Sequence, residues 1–148
     1  MKPLLIASIA IASFFTKANA ATPTPKDVAP AILQSFQNAF AGVKQVAWSS
    51  TDANLYKAEF VLNEQYVTAF YNPNGELVAL TRNIASYQLP VVLQATLKKD
   101  YSNYWISDLF ELANEEGTTY YVTLETADTK LTLKSNLSTW TTYQKSKK

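Results

Sequence analysis

Glu115 and Glu116 adjoin in an expected turn, and Glu111 is expected opposite Glu125 across the hairpin that follows. Carboxylates paired in this way are what glycoside hydrolysis or calcium binding requires. Charged residues at a hairpin tip and on a solvated strand face are ordinary, and this is the preferred reading of both pairs. The chain contains no histidine and no cysteine, which removes the usual base near neutral pH, the imidazole metal ligands, the thiolate nucleophile and the Ser-His-Asp arrangement. Ser-Lys chemistry needs a desolvated lysine, and the lysines here sit in polar contexts such as Lys98-Lys99-Asp100. Gly42, Gly75 and Gly117 are the only glycines, too few for a phosphate-cradling loop or a dinucleotide fingerprint. Asn72-Pro73-Asn74-Gly75-Glu76 lacks the spaced ladder of a calcium loop and reads as a turn. The expectation is a chain with no catalytic, cofactor-binding or metal-binding residues, and an enzyme working through carboxylates alone ranks last.

The first twenty residues read as a cleavable secretory signal: Lys2, an apolar run from Pro3 to Phe15, and Ala18-Asn19-Ala20 at the cleavage point. The run is too short to span a bilayer. Residues 21–26, with Thr22-Pro23-Thr24-Pro25, read as a linker, and 27–148 as one domain. Without Lys2 and Lys17, eleven basic residues face twelve acidic ones, a charge of −1. Nucleic acid is therefore excluded as the expected partner. No later segment is apolar enough to cross a membrane. An exported domain without cysteine must be held by its core alone, which favours a periplasmic or secreted bacterial setting.

Within the domain, Val28, Ile32, Phe36 and Phe40 recur every four residues, a helical stripe with Asp27 placed to cap it and Gly42 to stop it. Val43–Ser49 carries the alternating pair Val46 and Trp48, and Leu55–Leu62 alternates cleanly. Asn63-Glu64 turns into Gln65–Tyr71, and Asn72-Pro73-Asn74-Gly75 turns into Glu76–Arg82. Leu89-Pro90 opens a second helix through Lys99, followed by strands near Tyr104–Ala113, Thr118–Thr126, Lys130–Lys134 and Ser138–Tyr143. The terminal Lys145-Ser146-Lys147-Lys148 reads as a frayed tail. Pro30-Ala31-Ile32-Leu33-Gln34 matches Pro90-Val91-Val92-Leu93-Gln94, so the reading is an internal repeat, 27–83 and 89–143. The expected fold class is α+β: two tandem helix-plus-four-antiparallel-strand repeats sharing one core, the helices packed on one face of the sheet.

The helix ending in Phe40, Val46-x-Trp48, Tyr56-x-Ala58-x-Phe60, Tyr71-Asn72-Pro73-Asn74-Gly75-Glu76-Leu77, Leu89-Pro90, Tyr104-x-Ile106 and Tyr120-x-Val122-x-Leu124 together resemble the PepSY-like, beta-lactamase-inhibitor-like family of exported Bacteroidetes proteins. The resemblance covers nearly the whole mature chain and rests on structural motifs. It implies tandem helix-plus-four-strand units, an exported location, no catalytic residues, and a role in binding or inhibiting another protein. One departure is Lys134-Ser135-Asn136-Leu137-Ser138, which replaces the Asn-Gly turn of the first copy.

Strand alternation supplies the candidate site. If Tyr104, Ile106, Phe110 and Leu112 point inward, Trp105 and Leu109 point outward; if Tyr120, Val122 and Leu124 are core, Tyr121 is exposed. Tyr66 and Phe70 extend the patch and Trp140 joins it. The rings equally well pack across strands or lie under the other half of the chain. The expected partner is another exported or periplasmic protein gripped by these six residues, with a periplasmic small-molecule or glycan binder as the alternative.

Overall fold

The computed structural model of the chain describes residues 27–148. The signal expected at 1–20 and the linker at 21–26 lie outside the described residues. Helix α1 (Pro30–Ala39) precedes strands β1 (Ala47–Ser50), β2 (Tyr56–Leu62), β3 (Gln65–Tyr71) and β4 (Leu77–Asn83); helix α2 (Val91–Asp100) precedes β5 (Trp105–Asn114), β6 (Gly117–Glu125), β7 (Thr129–Asn136) and β8 (Thr139–Lys147).

Pro30 opens α1 at its first turn, where a missing N–H costs nothing. Ala29 is the capping residue and makes no side-chain cap, which corrects the cap expected at Asp27. Ile32 and Phe36 are the buried face of α1. Beneath it, the Asn72–Glu76 turn is closed by Asn72 Oδ1, which accepts from the backbone N–H groups of Asn74 and Glu76 at 3.0 Å each. Gly75 sits there at φ +87°, and a Cβ on it would lie 3.1 Å from the Ala31 backbone of α1. Both the conformation and the close approach require glycine.

The expected fold of two tandem repeats sharing one core is corrected. β4 pairs directly with β5, from Ala79 opposite Asn114 to Asn83 opposite Phe110, and all eight strands form one antiparallel sheet in chain order. Among the described residues the protein is mostly this sheet, with two α-helices. The register Val67–Arg82–Glu111–Tyr120 carries the helix-bearing face across its middle.

Nor is the core shared. Ile32 and Phe36 pack with Trp48, Ala58, Phe60, Ala69 and Tyr71; Leu93 and Leu97 pack with Leu109, Val122, Leu124, Leu133 and Trp140. Eight strands at 4.8 Å spacing span about 34 Å, whereas a helix with its side chains is about 10 Å wide, so two helices shelter two separate patches. The strip between them is polar: the Arg82 guanidinium pairs with Glu111 and donates through Nη1 to Gln65 Oε1 at 3.1 Å. That hydrogen bond to Glu111 is the main reason the Arg82 pKa is raised.

The C-terminal tail is not frayed. β8 runs to Lys147, and Lys148 donates from its backbone to Asp128 O at 3.0 Å and from Nζ to Thr126 O at 3.0 Å. The departure at 134–138 forms a two-residue turn, Leu137-Ser138, between the paired residues Asn136 and Thr139.

Candidate functional site

With both helices on one face, the opposite face of the sheet is the candidate docking surface. Residues directly paired across antiparallel strands project to the same side. Asn83, Phe110, Tyr121, Lys134 and Thr141 are successive partners and form a row across β4 to β8. The Phe110 and Tyr121 rings stack at 5.1 Å, Tyr143 meets Tyr121 edge-on at 5.5 Å, and Lys134 Nζ lies 5.9 Å from the Tyr121 centroid. Burial pushes the Tyr121 hydroxyl up to about 12 and raises that of Tyr143. A neighbouring row, Asp108, Thr123, Thr132 and Gln144, is polar, with the Thr123 and Thr132 hydroxyls 3.3 Å apart.

Trp105 stands farther along β5, paired across strands with Glu125. Lys148 Nζ lies 4.9 Å from its ring centroid and 2.5 Å from Glu125 Oε2. The Lys148 hydrogen bond, then that of Ser107, holds the Glu125 carboxyl below the usual range.

The six residues singled out by alternation separate into three groups. Trp105 and Tyr66 are exposed at 52% and 71%. Tyr121 and Phe70 do lie on the face away from the helices, by their pairing with Lys134 and with Lys57 and Ala79, but at 0% and 1% they are buried, not exposed. Leu109 and Trp140 are core residues on the helix side.

The Leu109 error has a definite cause. A bulge between Ile106 and Asp108 inserts an extra residue, so the alternation of β5 changes phase. Leu109 turns inward, while Phe110 and Leu112, expected inward, turn to the opposite face. Trp140 points inward to donate through Nε1 to Leu93 O of α2 at 3.1 Å. Phe110, Tyr143 and Lys134 were missed: the bulge in β5 brings Phe110 and the bulge between β7 and β8 brings Tyr143 beside Tyr121, while Lys134 is its direct partner in the β6–β7 ladder.

Among the described residues no group of three or more acidic side chains gathers as a metal site, and no helix is long and apolar enough to cross a membrane. The arrangement defines a class: a wide antiparallel sheet backed by two helices, presenting an aromatic face. Solved structures of the same architecture come from Bacteroides. A DUF2874 family protein of Bacteroides uniformis superposes with a TM-score of 0.71 at 14% identity, over 80% of this chain and 88% of its own. A candidate periplasmic protein of Bacteroides eggerthii gives 0.71 at 13%, over 86% and 90%. A BLIP-like protein of Bacteroides fragilis gives 0.65 at 16%, over 87% and 89%. These likenesses establish a BLIP-like fold; none of the three carries the PepSY side of the expected resemblance. No family model matches the sequence, and no curated protein does.

Proposed function

We propose that the chain is an exported, non-catalytic protein-binding module that grips its partner with the sheet face opposite the helices. The observation that carries this reading is the placement of both helices on one side, with Trp105 and Tyr66 exposed on the other, the face that also holds the Phe110–Tyr121–Tyr143 cluster. Rigid aromatic side chains give large contact area at small entropy cost. The structural neighbours described as periplasmic and BLIP-like support a periplasmic or secreted location and a protein partner.

Replacing Trp105 and Tyr66 together by alanine tests it. Surface substitutions of this kind change stability by at most about 0.5 kcal/mol each, whereas a desolvated aromatic anchor is worth about 2 kcal/mol, roughly thirtyfold in affinity. A partner captured from native periplasm and purified should bind the double variant at least that much more weakly at unchanged melting temperature. Equal affinity overturns the proposal. Titration of a purified serine beta-lactamase distinguishes an inhibitor, which abolishes turnover at equimolar ratio, from a plain binder.

The glycan or small-molecule reading stands second. It is favoured by a hollow of about 180 Å³ lined by Lys130, Thr132, Gln144 and Ser146, in the rows adjoining Trp105. A thermal-shift screen with glycans decides it, since saturation at a hundred times Kd adds about 2.7 kcal/mol.

A further inference from the structure

The helix side of the sheet has a concavity of its own where α2 ends. It measures about 340 Å³ and lies between α2, the 3-10 turn Ser86–Gln88 and the start of β5. That volume falls at the lower end of the range for small-ligand sites. Leu97, Ile106 and Leu124 supply an apolar floor, and Tyr87, Tyr101 and Tyr104 supply the walls.

The walls are set by backbone geometry. Tyr101 N–H donates to Leu97 O at 3.0 Å as α2 ends, and Tyr104 N–H donates to Tyr101 O at 3.0 Å, placing the two rings 6.0 Å apart in an edge-on pair. On the other side, Gln94 Nε2 donates to Leu89 O at 2.7 Å and Tyr87 O at 3.2 Å, which ties the 3-10 turn to α2. Ile106 and Tyr87 nevertheless stay 44% and 78% exposed, so the groove stays open to solvent on their side. Lys98 completes the lining. Among the described residues, no carboxylate lies within ion-pair distance of its ammonium.

We propose that this groove binds a small aromatic carboxylate, its ring between the tyrosines and over Ile106, its acid group toward Lys98. The groove is preformed, so a ligand meets little ordering cost, and its one cation is not compensated locally. It is separate from the aromatic sheet face, and occupancy of one does not require the other.

Phenylacetate and its uncharged amide, phenylacetamide, are the probes, followed by backbone NMR on the full domain. Phenylacetate should shift resonances of residues 86–106, with the amide about fivefold weaker, the increment expected of one partly screened charge pair. Lys98→Gln should bring acid and amide to equal affinity. Ile106→Trp, which fills the groove at a partly exposed position, should abolish both at unchanged melting temperature. The proposal fails if phenylacetate does not bind at millimolar concentration, if the acid holds no advantage over the amide, or if the shifts map to the opposite face.

Discussion

Glu64 adopts φ +64° in the two-residue turn joining β2 to β3, beside Asn63 at φ +49°. Asparagine tolerates this left-handed region, while glutamate has a Cβ that crowds its own carbonyl. Glu64→Gly converts the turn to the favoured Asn-Gly pair and should raise stability by about 1 kcal/mol, read as a shift in the urea midpoint at constant slope. No gain would mean the turn is unstrained. Position and chemistry of this turn were legible locally, because a hairpin of this length depends on the backbone preferences of its own two residues. The burial of Tyr121 was not. Its exposure was inferred from alternation, which assigns a side but says nothing about which neighbouring side chains crowd that side.

At the scale of elements, the joint between β8 and α2 depends on Trp140. Its ring is buried in the second core cluster and its Nε1 reaches Leu93 O. Trp140→Phe keeps most of the packing and loses the donor, a cost of about 1–2 kcal/mol; Trp140→Ala also empties the site and should cost about 3–5 kcal/mol. Chemical denaturation checks both, and an alanine cost below about 1 kcal/mol would show that α2 is held by something else. Helix periodicity marked α1 because i, i+4 spacing is a property of the segment alone, and α2 was marked by the proline that opens it. Phase along β5 escaped the same treatment: nothing in Trp105-Ile106-Ser107-Asp108 announces a bulge, which exists because pairing with β6 demands it.

For the whole molecule, the two buried tyrosines in different parts of the sheet couple folding to alkaline pH. Burial pushes Tyr71 and Tyr121 each up to about 12, against 10.0 in the ordinary case. Below pH 10 the ring hydroxyls keep their protons in both folded and unfolded chains. As pH rises from 10 toward 12 the unfolded chain releases protons that the folded one still holds, so stability falls. Melting temperature should therefore be level through neutrality and drop across that interval. Tyr71 Oη finds no hydrogen-bond partner among the described residues, so Tyr71→Phe should be at least as stable at neutral pH and lose less above pH 10. A profile unchanged by that substitution would sever the link to Tyr71.

By itself the sequence determined the turns, the first helical stripe and the proline start of the second helix, the alternating strands and the poverty of groups for acid–base or thiol chemistry. Each of these is set by residues within a few positions of one another or by composition. Tertiary structure alone decided that eight strands join into one sheet, that the core divides around the Arg82–Glu111 strip, and that Leu109 and Trp140 turn inward. Those outcomes depend on pairing partners far apart in the chain, and on a sheet broader than two helices can cover.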